Sequence, residues 1–192
     1  MQRTDIINGL IRDRGYTSYL EIGIGTGENF KSIECKLKDG VDPFALLGSK
    51  PNNLIEIEKN GFLYIESSDD FFIKNNFHYD LIFIDGLHHS DQVERDILNS
   101  WNCLKKGGII LIHNIRPFNE LTQRVPRESE AWMGDIWRAW YGLKTTYPKL
   151  NTYFLEERAG IGAIEKSRHK IDFGFVDLMT SYEYYDRVKG WE

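Results

Sequence analysis

Cysteine, long apolar runs and clusters of basic residues are all scarce in this chain of 192 residues. The two cysteines, Cys35 and Cys103, lie on predicted helices and form no paired motif, which excludes a disulfide scaffold and predicts a reducing, cytoplasmic compartment. No apolar run is long enough to cross a bilayer, so no membrane partner is expected. Acidic residues number 29 and basic residues 24, and the lysines and arginines form no block. This balance argues against nucleic acid as a substrate.

The chain has the length of one domain, and strand-like segments alternate with helix-like segments along it. An N-terminal helix is expected within residues 1–14. The predicted strands cover 18–22, a short segment ending at 41–42, 62–65, 81–84 and 109–112, and the predicted helices cover 28–37, 50–60, 69–75 and 91–104. Strands separated by helices require right-handed crossovers, and continuously apolar strands are covered on both faces. The pattern therefore predicts an α/β fold with a doubly wound, Rossmann-like, mostly parallel sheet.

The alternation becomes irregular after the fifth predicted strand. A polar stretch over 116–130 contains Pro117 and Pro126, which predicts either a lid-like insertion at about 115–134 or a disordered connection. Asp135 suits an N-cap, so a helix is expected to restart there.

Near the end of the chain, two strands over 152–155 and 162–164 flank Arg158-Ala159-Gly160. They predict an antiparallel hairpin at the edge of the sheet. The aromatic segment 182–191 can pack on the body of the protein or on a second subunit, so a homodimer is among the partners considered.

A glycine-rich turn follows the first predicted strand, in the sequence Glu21-Ile22-Gly23-Ile24-Gly25-Thr26-Gly27. A strand, a tight glycine turn and a helix N-terminus in this order form a site for a nucleotide-like ligand. A dinucleotide fingerprint needs its third glycine one position later, where this chain has Glu28. A carboxylate at this helix N-terminus repels a pyrophosphate, whereas S-adenosylmethionine has no phosphate and carries a cationic sulfonium and amine. The turn therefore favours a methyl donor.

Further side chains are placed to contact such a donor. Asp42 lies about twenty residues past the first strand, where a carboxylate binds both ribose hydroxyls; the alternative is a turn aspartate before Pro43. Glu21 ends the first strand, and a charge there needs a partner such as the amine of the methionine moiety. Ser67-Ser68-Asp69-Asp70, after the third strand, suits both a helix N-cap and a contact to adenine, and Ser68 and Asp69 are the predicted contacts.

Histidines and an aspartate follow two neighbouring strands at the carboxyl edge of the predicted sheet, where open α/β folds bind ligands. Asp85, His88 and His89 follow the fourth strand, and His113 and Asn114 end the fifth. Imidazole is the natural base for deprotonating a hydroxyl near neutral pH. We predict His88, His113 and Asp85 as catalytic residues, with either histidine as the base.

A divalent metal is an alternative use of the same edge. Asp85, Asn114 and Asp135 would supply oxygen ligands that suit magnesium, although histidine is a poor magnesium ligand. The aromatic side chains nearby either wall an acceptor pocket or fill the core: Trp132, Trp137, Trp140 and Tyr141. Trp132 is the best pocket candidate because it precedes the predicted helix.

Six segments, in this order, resemble the class I S-adenosylmethionine-dependent methyltransferases, most closely the small bacterial methyltransferase-24-like group. They are the glycine turn 21–27, Val41-Asp42-Pro43, 83–88, 106–109, His113-Asn114 and 132–137. The resemblance extends from about residue 16 to residue 164. It implies a seven-stranded sheet whose last strand is antiparallel.

The resemblance also implies roles for individual residues. The cofactor site would be lined by Glu21, Gly23, Gly25, Gly27 and Asp42. Asp85 would also bind the cofactor and would lie, with His88, close to the transferred methyl. Related sugar and catechol O-methyltransferases bind magnesium through an aspartate after the fourth strand and an acidic pair after the fifth. This chain has His113-Asn114 at the second position, and for that reason we predict no metal ligand.

Together these features predict a methyltransferase that uses S-adenosylmethionine to methylate a hydroxyl of a small molecule, for example a sugar or a glycan precursor. Positioning the acceptor oxygen against the methyl carbon would supply most of the catalysis. One alternative is an NAD-dependent oxidoreductase on a similar sheet, which Glu28 disfavours. The other is a methyltransferase-like protein that binds the cofactor or a partner without turnover.

Overall fold

A computed structural model describes residues 2–44, 54–57 and 60–167 of the chain. The strands are β1 Ser18–Ile22, β2 Leu37–Val41, β3 Leu54–Ile57, β4 Gly61–Tyr64, β5 Tyr79–Ile84, β6 Leu104–His113, β7 Asn151–Leu155 and β8 Ile161–Glu165. The helices are α1 Arg3–Arg14, α2 Glu28–Ser32, α3 Ser68–Lys74, α4 Ser90–Cys103 and α5 Ile136–Thr146, with a short 3-10 helix at Leu121–Gln123. No helix in this part of the chain is long and apolar enough to cross a membrane.

The described strands form one sheet in the order β3-β4-β2-β1-β5-β6-β8-β7. Pairing is parallel from β4 through β2, β1 and β5 to β6. It is antiparallel between β6 and β8, between β8 and β7, and between β3 and β4. The predicted α/β class, the doubly wound sheet and the C-terminal hairpin are confirmed, and β3 adds an eighth strand at the far edge.

The core lies on both faces of the sheet because the central strands carry apolar side chains on both faces. Ile82 and Ile84 of β5 pack in one layer with Trp137 of α5, and Leu81 and Phe83 pack in the other layer. Side chains alternate between the two faces of a strand, so a continuous apolar run fills both layers. Three of the aromatic residues considered for the acceptor pocket are at most 1% exposed and belong to the core: Trp137, Trp140 and Tyr141.

Two predicted helices differ from the structure. The helix predicted over 28–37 stops at Ser32, because the buried ammonium of Lys38 donates hydrogen bonds to the carbonyls of Phe30 and Ile33 at 2.8 and 3.0 Å. Cys35 therefore lies between α2 and β2 and not on a helix.

The second prediction, a helix over 50–60, is wrong at Leu54–Ile57, which pair with β4 as a strand. The rest of that predicted helix falls mainly on residues that the structure leaves undescribed, 45–53 and 58–59, and so does the aromatic segment 182–191.

Lys106-Gly107-Gly108 belongs to strand β6 itself, where Gly107 has a positive φ of 77°.

Hydrogen bonds order the segment between β6 and α5 internally and also join it to the β7–β8 hairpin, where the Arg116 N–H donates to the Ala159 carbonyl at 2.9 Å. The backbone N–H groups of Met133 and Gly134 donate to the Thr122 carbonyl at 2.8 and 3.2 Å. α5 begins after Asp135, as predicted, but the Asp135 side chain does not cap it. Its carboxylate instead accepts hydrogen bonds from the backbone N–H and the hydroxyl of Ser90 at 2.7 and 3.0 Å, and so caps the neighbouring helix α4.

Candidate functional site

A cavity of about 600 Å³ opens at the carboxyl edge of the sheet. Its walls come from the ends of β1, β2 and β5 and from the starts of α3 and α4. They include Gly23, Gly25, Thr26, Asp42, Phe44, Ser67, Ser68, Gly86, Leu87, Gln92 and Asp96. The volume lies in the range of small-molecule sites.

The glycine turn shapes one wall of this cavity. Gly23, Gly25 and Gly27 have φ angles of 88°, 54° and 78°, which L side chains rarely adopt. A Cβ on Gly23 would lie 2.2 Å from the Asp85 carbonyl oxygen, so glycine lets the ends of β1 and β5 approach each other. Nothing lies within 4 Å of a Cβ on Gly25, which leaves that stretch of backbone open.

Asp42 holds the glycine turn from the end of β2. Its Oδ2 accepts hydrogen bonds from the backbone N–H groups of Ile24 and Gly25 at 2.9 and 2.7 Å. Its Oδ1 accepts from the N–H of Phe44 at 2.7 Å. Asp42 is therefore both a turn residue and part of the cavity wall.

A set of linked polar side chains forms the opposite wall, between α3 and α4. The amide of Gln92 donates to Ser68 Oγ, Asp69 Oδ1 and Asp96 Oδ1 at 3.2, 3.2 and 3.1 Å. Ser67 caps α3 by accepting from the N–H of Asp70, so the predicted helix N-cap is confirmed. Neither Gln92 nor Asp96 was predicted from the sequence, because both lie on α4 and not at a strand end.

Four of the residues predicted to bind the cofactor do not line this cavity: Glu21, Gly27, Asp69 and Asp85. Glu21 is 1% exposed and accepts hydrogen bonds from the Tyr19 hydroxyl at 2.5 Å and the Asn29 amide at 3.0 Å. Burial raises the pKa of Glu21 to about 7, against the opposing effect of these hydrogen bonds. Glu21 thus joins β1 to α2 behind the turn.

Beyond Gly86 and Leu87, a cluster of charged and polar side chains surrounds Asp85. His113 Nδ1 lies 3.1 Å from Asp85 Oδ1, and Asn114 Nδ2 donates to the same oxygen at 3.3 Å. Arg3 of α1 donates to Asp85 Oδ2 at 2.6 Å. On its other side, the His113 ring contacts Glu157 at 3.2 Å through Nε2. The structure thus brings together the predicted Asp85, His113 and Asn114, and adds Arg3 and Glu157.

The charges in this cluster stabilise one another. Burial alone raises the pKa of Asp85, but the charge of His113, hydrogen bonds from His113 and His88, and Arg3 hold it well below its usual range. Burial alone lowers the pKa of His113, but the charge of Asp85 and hydrogen bonds to Asp85 and Glu157 raise it to about 9. His113 is therefore an imidazolium near neutral pH and has no lone pair with which to accept a proton.

His88 lies at the junction of this cluster and the cavity. Its Nε2 is 3.2 Å from Asn114 Nδ2 and 3.5 Å from Asp85 Oδ1, and its buried Nδ1 has no partner among the described residues. The half-buried Trp132 ring lies 5.4 Å from the His88 ring, at an angle of 32°. The neighbouring His89 turns towards the edge of Trp132 instead. Trp132 is thus the one predicted pocket aromatic that stands beside a candidate catalytic residue.

The residues considered for magnesium do not form a ligand set. Asp85 is already bonded to Arg3 and His113, and Asp135 directs both carboxylate oxygens to Ser90. Within residues 2–44, 54–57 and 60–167, no group of three His, Cys, Asp or Glu side chains is arranged to hold a metal ion.

The methyltransferase-domain family matches residues 20–115, which is half of the chain. No curated protein matches this chain. The matched range contains the glycine turn, Asp42, the wall formed by α3 and α4, and the whole segment from Asp85 to Asn114.

Solved structures with the same fold include three methyltransferases. An SAH-bound methyltransferase from Podospora anserina superposes with a TM-score of 0.64 at 15% identity, over 86% of this chain and 78% of the other. The O-methyltransferase of tomaymycin synthesis from Streptomyces achromogenes, in complex with SAM, gives 0.61 at 10% identity, over 86% and 79%. An O-methyltransferase from Bacillus cereus, in complex with SAH, gives 0.55 at 14% identity, over 85% and 80%. At such identities the likeness establishes the Rossmann-like methyltransferase fold.

Proposed function

Since the chain belongs to the methyltransferase-domain family, we propose that it transfers a methyl group from S-adenosylmethionine to a hydroxyl of a small molecule. One observation carries this proposal. The cavity formed by the glycine turn and Asp42 adjoins, through Gly86 and Leu87, a histidine held against a buried carboxylate. A donor site and a base for the acceptor hydroxyl are thus contiguous.

The cavity suits the donor in its size and its polar groups. When bound, S-adenosylmethionine supplies an electrophilic methyl carbon on a sulfonium. We assign its binding to Gly23, Gly25, Asp42 and Ser68, which line the cavity. Glu21, Gly27 and Asp69 support this wall from behind, and Glu21 is the clearest case because its carboxylate bonds to Tyr19 and Asn29.

We assign the base to His88. Nε2 of His88 faces Asp85 and Asn114, whereas Nδ1 has no partner among the described residues, so Nδ1 would take up the proton of the acceptor hydroxyl while the bound donor would supply its methyl group. His113 is excluded from this role because it already carries the proton. Asp85, kept ionised by Arg3 and His113, stabilises the imidazolium that forms on His88. Asp85 and His113 thus act on the reaction through His88.

The acceptor would enter beside Trp132, under the segment 115–134. We propose this segment as a lid that excludes water, since Gly134 at its end lies against the His88 backbone and the N–H of the next residue, Asp135, donates to the His88 carbonyl at 3.2 Å. Sugar, glycan-precursor and phenol hydroxyls are the acceptors to screen.

Two expectations about the cellular context go with this proposal. A reducing, cytoplasmic compartment agrees with Cys35 and Cys103, which are both free thiols. The homodimer considered from the sequence stays a prediction.

Replacing His88 with alanine tests the assignment of the base. The variant should lose at least about 100-fold in turnover, the typical size of general-base catalysis, and should bind S-adenosylmethionine as the wild type does. Isotope-labelled methyl transfer to the best acceptor of the screen measures turnover, and calorimetry measures binding. His78→Ala, at an exposed histidine, is the matched control and should keep full turnover. Unimpaired turnover in His88→Ala would remove His88 from the reaction.

A further inference from the structure

A guanidinium from the N-terminal helix reaches the cluster around Asp85. Arg3, in the first turn of α1, donates through Nη1 to Asp85 Oδ2 at 2.6 Å, and the same nitrogen lies 3.4 Å from His113 Nδ1. Helix α1 precedes residues 20–115, the range that matches the methyltransferase-domain family. The cluster therefore contains a cation that comes from outside the matched range.

The contacts of the Asp85 carboxylate divide between its two oxygens. Oδ1 faces His113 at 3.1 Å, Asn114 at 3.3 Å and His88 at 3.5 Å. Oδ2 has Arg3 as its one partner among the described residues. The last torsion of an aspartate side chain is broad, so a partner on each oxygen is needed to hold the plane of the carboxylate. Arg3 supplies the partner on the second oxygen and thereby keeps Oδ1 directed at His88.

Arg3 also balances the charge of the cluster. His113 is a single imidazolium between two carboxylates, those of Asp85 and Glu157. The guanidinium adds a second positive charge, so two cations face two anions. A carboxylate that is both paired and hydrogen-bonded stays ionised inside a protein. The second cation therefore preserves the charge with which Asp85 acts on His88.

Helix α1 is held in the fold by contacts that do not involve Arg3. The Thr4 hydroxyl donates to Asn29 Oδ1 at 2.8 Å, and the Asn8 amide donates to the Ser32 carbonyl at 2.9 Å. Three isoleucines of the helix are buried in the core: Ile6, Ile7 and Ile11. The helix is therefore anchored on α2 and on the sheet, and the ion pair of Arg3 is not needed to hold it there.

We propose that Arg3 is a positioning residue for methyl transfer, which holds the Asp85 carboxylate so that Oδ1 stays directed at His88. This inference rests on the proposed function. Arg3 acts on the reaction through Asp85, and Asp85 is needed most when His88 takes up the proton of the acceptor. An interaction that counts mainly in the transition state affects kcat and leaves ground-state binding unchanged. Loss of Arg3 should therefore slow turnover without weakening the binding of the donor.

The test measures kcat and S-adenosylmethionine affinity in the wild type, Arg3→Ala, Arg3→Lys and Arg12→Ala. Arg3→Ala should lose at least about tenfold in kcat, the effect of one hydrogen bond to a charged group. Its donor affinity, measured by calorimetry, should stay within about threefold of the wild type. Arg3→Lys should retain more turnover than Arg3→Ala, because an ammonium can still donate to Oδ2. Arg12→Ala, at an exposed arginine of the same helix, should keep the wild-type kcat.

Methylguanidinium gives a second readout of the same role. The Arg3 side chain is 37% exposed, so its removal opens a space that this small cation can enter from solvent. At millimolar concentration it should raise the kcat of Arg3→Ala at least about threefold. The kcat values of the wild type and of Arg12→Ala should not change.

Several outcomes would overturn this assignment. Wild-type kcat in Arg3→Ala does so, and so does a loss of donor affinity as large as the loss of kcat. A loss of kcat that neither lysine nor methylguanidinium restores, or failure of Arg3→Ala to fold, would show that the ion pair supports the fold and not the reaction. If the wild type itself binds no S-adenosylmethionine, the proposed function fails as well, whereas an active wild type with an equally active Arg3→Ala removes only Arg3.

Discussion

Four polar or charged side chains surround the carboxylate of Asp85 in the candidate site. Arg3 binds one carboxylate oxygen, and His113, Asn114 and His88 face the other at 3.1 to 3.5 Å. A buried carboxylate with this many partners stays ionised and oriented. Glu157 contacts the opposite side of the His113 ring. Acidic and basic side chains therefore alternate along the cluster, and their buried charges balance.

The elevated pKa of His113 makes the stability of the fold depend on pH. Its pKa is about 9 in the folded protein, against an ordinary value of 6.5. The folded state therefore holds this proton more tightly, so the stabilisation is fully present below pH 6.5 and is lost as pH rises through 9. We expect the wild-type free energy of unfolding to fall by about 1–3 kcal/mol between pH 6.5 and 9.5.

Urea unfolding of the wild type and of His113→Gln at both pH values measures this effect. The variant should show a smaller fall. Glu21, whose pKa burial raises to about 7, titrates in both proteins, and its contribution cancels in the comparison. The same fall in both proteins would show that His113 does not carry the effect.

Residues of the site were predictable from sequence where they directly follow strands. Asp42, Asp85 and His88 stand at strand ends, and the carboxyl ends of parallel strands necessarily meet at one edge of a sheet. Arg3 and Asp96 lie on helices, and no local pattern tells which strand end a helical side chain will reach. Their roles follow from how α1 and α4 pack.

At the scale of secondary-structure elements, the glycine turn joins β1 to α2 under tight steric limits. Gly23 lies against the backbone of β5 at Asp85, and Gly25 lies in open space. Both have positive φ angles. A substitution at Gly25 therefore measures the cost of the backbone conformation alone, and the same substitution at Gly23 adds the cost of a steric clash.

Alanine at each of these positions gives a matched pair of variants. Gly25→Ala should destabilise the fold by about 1 kcal/mol, the cost of a left-handed alanine. Gly23→Ala adds a Cβ at 2.2 Å from the Asp85 carbonyl oxygen and should cost at least about 2 kcal/mol more, as overpacking does. Denaturant unfolding at neutral pH compares them, and equal losses would contradict the close approach of β1 and β5.

The bounds of elements were less predictable than their order. The alternation of strands and helices was correct over the parallel part of the sheet except between β2 and β4, where a helix was predicted and β3 is found. Apolar runs and turn residues, which gave the correct part, are local signals. α2 ends early because Lys38, from the following strand, binds its last carbonyls. The Asp135 carboxylate caps α4 and not its own helix because Ser90 lies within its reach. Both outcomes depend on tertiary contacts.

At the scale of the whole molecule, one sheet edge carries the donor cavity and the charged cluster side by side. The cavity extends from β4 to β5, and the cluster extends from β5 to β6, with Arg3 of α1 and Glu157 after β7 completing it. This arrangement supports methyl transfer with His88 between donor and acceptor.

Calorimetric titration of the protein with S-adenosylmethionine tests this arrangement most directly, in the wild type and in Asp42→Asn, each with a chelator and again with magnesium. We predict micromolar binding to the wild type, weaker by at least about tenfold in Asp42→Asn, since one lost polar contact to a charged group costs that much. Binding should be the same with and without magnesium. No binding by the wild type under either condition, or equal binding by the variant, would contradict a donor site at the glycine turn and Asp42.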